Sequence, residues 1–262
     1  MKTILISGND TSIGKTWVSR ALASYLVSRN QSVQVVKVVE TGITGQQKGD
    51  AEIAIENCSL YANECEAFTL YSFTDPLAPI TAAEKAGCTT LSLENILNKI
   101  NQLPETDWRI LETAGGLAVP LDKAGLDTVD LALQLPVDYL LLVVQNRLGA
   151  IHQARVLTAY APYSKITTGI WFNDCMPVDD NVTHSNYSEL ANLAIPVWGH
   201  QLFQMPTLHF FESFPLARFF NDGLANNDSS VFYNTGSTDK NSSASKDFLN
   251  REILPADKIF PV

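Results

Sequence analysis

The sequence predicts a single α/β domain in which a mostly parallel sheet carries helices on both faces. Three observations predict it. Short apolar, β-branched runs alternate with runs of helical spacing as far as about residue 205, and the first run ends in a glycine loop that opens straight into a helix. At 262 residues and 45% hydrophobic content, the chain suits one core better than two.

The elements follow in order. Thr3 to Ser7 is a β-branched run that stops at Gly8, and from Lys15 to Arg29 the residues Val18, Ala21, Leu22, Tyr25 and Leu26 recur at helical spacing. A second strand, Val33 to Val38, follows after a few polar residues, which closes a βαβ unit whose strands must be parallel. Leu91, Leu93, Ile96, Leu97, Ile100 and Leu103 mark a helix, Trp108 to Leu111 a strand, Asp127 to Leu135 a helix and Val137 to Val144 a strand. Leu148 to Tyr160, Ile166 to Phe172, Tyr187 to Leu193 and Ile195 to Trp198 continue the alternation. The strands are predominantly apolar, as expected of strands buried on both faces. The expected domain spans residues 1–220. Residues 221–262 begin as an Asn/Ser-rich stretch too poor in apolar residues to fold alone, and are expected to form a partly flexible tail.

A formal net charge of -10 without any Lys/Arg cluster repels phosphate backbones and anionic head groups, so neither a nucleic-acid nor a membrane partner is expected. The four cysteines and four histidines are scattered, with no metal-ligand spacing. No apolar stretch has transmembrane length and no signal-peptide pattern opens the chain. Together these features lead to the expectation of a cytoplasmic protein.

The loop Gly8-Asn9-Asp10-Thr11-Ser12-Ile13-Gly14-Lys15-Thr16 joins the first strand to the first helix, which is the setting a phosphate-binding loop requires. Backbone N–H groups and the helix N-terminus hold phosphates there, Lys15 supplies a point charge, and the Thr16 hydroxyl is placed for Mg²⁺. Gly8 and Gly14 enclose five residues where the general pattern encloses four. Lys37 stands near the end of an otherwise apolar strand, costly to bury without an anionic partner and close to where ligands collect in a parallel sheet. Glu112 follows an apolar strand and precedes the small-residue run Thr113-Ala114-Gly115-Gly116, and with Asp50 it is the acid to assign to Mg²⁺. Asp50 itself has no such strand-end context.

The nine-residue loop resembles the G-T-D-T-x-V-G-K-T opening of the dethiobiotin synthetase family. Similar loops occur in the amide synthases of cobalamin biosynthesis and in an accessory domain of some phosphotransacetylases; partition ATPases carry an extra early lysine where this chain has Asn9 and Asp10. Lys37-Val38-Val39-Glu40-Thr41-Gly42 resembles the family's K-P-V-x-[ST]-G, with Val38 in place of Pro. Glu112-Thr113-Ala114-Gly115-Gly116 resembles E-G-A-G-G, with Thr113 in place of a glycine, where a side chain is expected to narrow the loop or demand another backbone angle. Tyr71 to Pro79 resembles a substrate-side loop. Gln145 to His152 resembles V-x-x-x-L-G-x-I-N-H, with His152 in place of Asn, and Phe172-Asn173-Asp174 resembles the family's N-D segment.

The resemblance covers about residues 1–205 and implies a P-loop fold, ATP as co-substrate and Mg²⁺ as cofactor. It implies catalytic roles for Thr11, Lys15 and Lys37. Nucleotide contacts fall to Asn9, Asp10, Thr11, Ser12, Ile13, Gly14, Lys15, Thr16 and, at the base, Asn173. Lys37, Thr41, Leu148, Gly149 and His152 are implied at the substrate, the last three across a homodimer interface, and Thr16, Asp50 and Glu112 at the metal. The implied reaction joins 7,8-diaminononanoate and CO₂ (or bicarbonate) with ATP, through a phosphorylated carbamate, to give dethiobiotin, ADP and phosphate. Another P-loop ligase or amide synthase, and a non-catalytic regulatory ATP-binding module, are the rival expectations.

Overall fold

A computed structural model describes residues 1–58, 64–203 and, as backbone, 208–210. The expectation for residues 221–262 lies outside the described residues. The chain runs β1 (Lys2–Gly8), α1 (Lys15–Ser28), β2 (Val33–Lys37), β3 (Glu40–Thr41), α2 (Asp50–Ile55), β4 (Cys65–Thr69), β5 (Ser72–Phe73), α3 (Pro79–Lys85) and α4 (Leu93–Asn101). It continues through β6 (Trp108–Glu112), α5 (Thr128–Gln134), β7 (Tyr139–Gln145), α6 (Ala150–Tyr160), β8 (Thr167–Asn173), α7 (Asp180–Asn192), β9 (Val197–Gln201) and β10 (Leu208–Phe210).

The main sheet has the order β10-β9-β8-β7-β1-β6-β2-β4, parallel except for β10. The chain leaves β1 toward β2 and β4 on one side and later fills β7, β8 and β9 on the other. The crevice at the C-terminal end of β1 is therefore the switch point where open α/β sheets bind ligands.

Alternation along the strands divides the core. Ile4 and Ile6 of β1 pack with Val18, Leu22 and Leu26 of α1 on one face, whereas Leu5 faces Ile96, Leu131 and Leu157 from α4, α5 and α6 on the other. Two glycines make room for two indoles. A Cβ on Gly169 would lie 2.2 Å from the Trp198 ring, and one on Gly199 would lie 2.3 Å from the Trp171 ring.

The expected strands all occur, with ends shifted by one to three residues. Helix α7 starts at Asp180, seven residues before the expected Tyr187, because its first turns (Asp-Asn-Val-Thr-His-Ser-Asn) bury little and leave no apolar stripe to read. Asp179 caps it, accepting the Asn181 N–H at 2.8 Å. The edge strand β4, the β3–β5 pair, the short helix α2 and the antiparallel β10 were not expected from the sequence. No described helix is long and apolar enough to cross a membrane.

Candidate active site

The loop after β1 turns back on itself through two left-handed residues, Ser12 (φ 58) and Gly14 (φ 90). Three contacts set its shape. Ile13 is buried against the sheet, the Asp10 carboxylate accepts the Thr11 N–H at 2.7 Å, and the Asn9 N–H donates to the Val143 carbonyl at 3.3 Å. The Lys15 Nζ donates to the Asp10 carbonyl at 2.6 Å, within the concavity that the loop encloses. Burial, and then the neighbouring Lys37, pull the Lys15 ammonium down to about 8. Thr11 is exposed at the loop's rim, while Thr16 faces Glu112 from the first turn of α1.

Sheet register explains the charged centre beside this loop. Lys37 and Glu112 are register partners at the C-terminal ends of β2 and β6, so both side chains leave the sheet on one face. Lys37 is only 5% exposed; its Nζ lies 2.7 Å from Glu112 Oε1 and 2.5 Å from Asp50 Oδ2. Burial opposes the Lys37 charge, but Glu112 and Asp50 outweigh it and hold the ammonium above the usual lysine range. The Thr16 hydroxyl donates to Glu112 Oε1 at 2.9 Å. Of the three residues expected at the metal, Asp50 and Glu112 thus meet on one ammonium group and Thr16 joins them through Glu112.

The donor set fits Mg²⁺. Two carboxylates and a hydroxyl are hard oxygen ligands, and Mg²⁺ bound with a nucleotide takes one or two carboxylates and completes its shell with phosphate and water. No cluster of three or more His, Cys, Asp and Glu side chains that could hold a metal alone occurs among the described residues.

Thr41 lies half-buried in β3, where Gly42 and Ile43 donate to the Phe73 carbonyl and Glu40 to that of Tyr71. The two segments carrying Lys37 and the Tyr71–Pro79 loop are thereby joined. A Cβ on Gly42 (φ 84) would meet Pro76 Cβ at 3.2 Å, so glycine permits the close crossing. Thr113 does not narrow the loop, contrary to expectation. It is fully buried with an ordinary backbone angle, and its hydroxyl turns into the sheet within reach of Ser7 Oγ (3.0 Å) and the Ile6 carbonyl (3.3 Å).

Asn173 ends β8 beneath the phosphate loop and donates from Nδ2 to the Ile13 carbonyl at 2.9 Å, lying so near Gly14 that a Cβ there would meet Nδ2 at 2.1 Å. Leu148, Gly149 and His152 are not brought to Lys37. They follow β7, three strands from β2 in the sheet order, or about 14 Å at the usual strand spacing. Leu148 is 84% exposed, and with Gly149 and His152 it lines a groove of about 770 Å³ between α6 and α7.

Sequence reasoning missed three contributors. Ser19, one turn beyond Lys15 on the buried face of α1, donates to Glu112 Oε2 at 2.6 Å. Glu40 is buried and accepts the Asp50 N–H on Oε1 at 2.6 Å. Asn146 is the hub of a buried network: it donates to Asp174 Oδ1 (3.0 Å) and Thr183 Oγ1 (2.9 Å), and Asn186 bonds both Asn146 Oδ1 (2.8 Å) and the Arg147 carbonyl (3.2 Å). That network holds the 147–149 turn. The only sequence signal for Ser19 was its i+4 spacing from Lys15; Glu40 and Asn146 gave none.

Comparison with known proteins narrows the chemistry. A family model described as an AAA domain matches residues 2–186. The protein named ATP-dependent dethiobiotin synthetase BioD from Xanthomonas oryzae pv. oryzae is 35% identical over 201 residues, which is 74% of this chain and 88% of the relative. Its namesake from Corynebacterium diphtheriae is 34% identical over 204 residues, 76% of this chain and 87% of the relative. Among solved structures, the signal recognition particle receptor FtsY from Elizabethkingia anophelis has a TM-score of 0.52 at 16% identity, covering 81% of this chain and 63% of that one. The FtsY structure from Thermotoga maritima gives 0.51 at 19% identity, with 81% and 65% covered. At such identity the likeness to these longer chains is one of fold alone.

Proposed function

The chain belongs to the ATP-dependent dethiobiotin synthetase family, and on that premise we propose how its residues close the ureido ring of dethiobiotin. A 7,8-diaminononanoate amine adds to CO₂ and sheds a proton, leaving a carbamate. A carbamate oxygen attacks the γ-phosphorus of ATP and ADP departs. The neighbouring amine then attacks the carbonyl carbon of the mixed anhydride, the C–O bond to phosphate breaks, and the ring closes as the nitrogen loses a proton.

The observation that carries this reading is the buried Lys37 ammonium between two carboxylates beside the phosphate loop. In the nucleotide complex Lys37 is assigned to the γ-phosphate and the carbamate, where its charge counts most as the phosphoryl group passes between two anions. Lys15 and the loop amides hold the β- and γ-phosphates, and Thr11 borders the path of transfer. Mg²⁺, which Thr16, Asp50 and Glu112 would hold, would supply charge neutralisation on the phosphates. Thr41 and the Tyr71–Pro79 loop flank the diamine, and Asn173 borders the base. The amide-synthase and regulatory-module alternatives are not favoured, since the curated relatives carry the synthetase name.

The same proposal includes a homodimer. Leu148, Gly149 and His152 follow β7, three strands from β2 in the sheet order, and the exposed Leu148 with its groove supports their reaching a partner's substrate carboxylate through the α6 N-terminus. A cytoplasmic location accords with four free thiols. The test is incubation with 7,8-diaminononanoate, bicarbonate and Mg-ATP, with mass spectrometry for dethiobiotin. ATP hydrolysis without dethiobiotin would overturn the assignment.

A further inference from the structure

We infer that Glu40 is a positioning residue for Asp50, an inference that rests on the proposed metal role of Asp50. Asp50 is the loosest member of the charged centre, with a side chain 32% exposed against 6% for Lys37 and 1% for Glu112. It follows the exposed stretch 44–48, separated from it only by the buried Gly49. Glu40 fixes it. The Glu40 Oε1 accepts the Asp50 N–H at 2.6 Å, at the very residue whose carboxylate reaches Lys37.

Two further features show that this contact is built into the fold. Gly49 has an extended backbone (φ -75, ψ 164) open to any residue, yet a Cβ there would lie 2.6 Å from Glu40 Oε2. Glycine at 49 gives the carboxylate its space. Glu40 is in turn anchored by its own N–H, which donates to the Tyr71 carbonyl at 2.9 Å. A chain of contacts thus runs from the Tyr71–Pro79 loop through Glu40 to Asp50. Burying a carboxylate is costly unless it is bonded, and groups that orient metal ligands typically govern metal affinity by 10–100-fold.

The test follows Mn²⁺ binding to the protein–ADP complex by loss of the free-Mn²⁺ electron paramagnetic resonance signal. Wild type, Glu40→Ala, Glu40→Gln and Gly49→Ala are compared after circular dichroism has shown each to be folded. Glu40→Ala and Gly49→Ala are expected to bind Mn²⁺ about tenfold or more weakly, with metal-free ADP affinity unchanged. Glu40→Gln keeps an oxygen that accepts the Asp50 N–H, so it should stay near wild type. Unchanged Mn²⁺ affinity in both alanine variants would overturn the inference. So would a glutamine variant as weak as Glu40→Ala, since charge or direct ligation would then be at work, or a parallel fall in metal-free ADP affinity. Wild-type protein that takes up no Mn²⁺ with ADP would overturn the metal reading itself.

Discussion

Replacing Lys37 with alanine tests the charged centre through both stability and turnover. The change leaves Glu112, nearly inaccessible, and Asp50, one-third exposed, facing each other without their cation. Removing one partner of a buried pair costs about 3–5 kcal/mol, and the exposure of Asp50 places this case near the lower end, at about 3 kcal/mol. For a fold of this size that amounts to a fall in melting temperature of roughly 6–12 °C. Millimolar Mg²⁺ should restore part of the loss, because the freed oxygens become available to it; saturation at a hundred times Kd contributes about 2.7 kcal/mol. Wild type should respond less to Mg²⁺, since Lys37 already occupies the same oxygens. Nucleotide affinity should change little, whereas turnover should fall about a hundredfold or more. Lys37→Arg should rescue little, since a planar fork does not replace a compact ammonium. The assays are thermal denaturation with and without Mg²⁺, calorimetry of ADP binding, and dethiobiotin formation. An unchanged melting temperature together with wild-type turnover would refute the reasoning.

Lys15 makes nucleotide binding pH-dependent: its free-state value of about 8 rises when phosphate is bound, so binding takes up a proton near pH 8 and weakens as pH climbs above it. Calorimetry in buffers of different ionisation enthalpy measures the uptake; for stability the sign is reversed, since the unfolded chain keeps that proton to about 10.4 and folding gains as pH rises from 8. Thr113→Gly should cost about 1–2 kcal/mol by chemical denaturation through loss of a buried hydroxyl and its packing, with turnover retained because the side chain faces the sheet. Gly14→Ala should abolish nucleotide binding in a filter assay, since a Cβ there collides with Asn173 and φ 90 excludes it. Sedimentation should find a homodimer; an active monomer at low nanomolar concentration would remove the shared-site proposal.

What the sequence made legible depended on whether a residue's role followed from local context. Lys37 and Glu112 each close an apolar strand, and their meeting needed only parallel strands ending at one edge. Ser19 and Glu40 were hidden, because each is an ordinary polar residue whose role depends on helix phase or on a loop returning to the sheet. Thr113 was legible as a departure but not in its consequence, which turns on Ser7 accepting a close hydroxyl neighbour inside the sheet. Helix α7 was half visible: its C-terminal half carries the half-buried Tyr187 and the buried Leu190, while its start has only the Asp179 cap to mark it.

On the proposed mechanism the γ-phosphoryl group passes to a carbamate oxygen beside Lys37. Supplying [¹⁸O]bicarbonate in unlabelled water, and quenching before isotope exchange with solvent, tests it directly by mass spectrometry of the phosphate released with dethiobiotin. Each phosphate released should carry one bicarbonate-derived ¹⁸O; unlabelled phosphate accompanying dethiobiotin would rule out transfer to the carbamate.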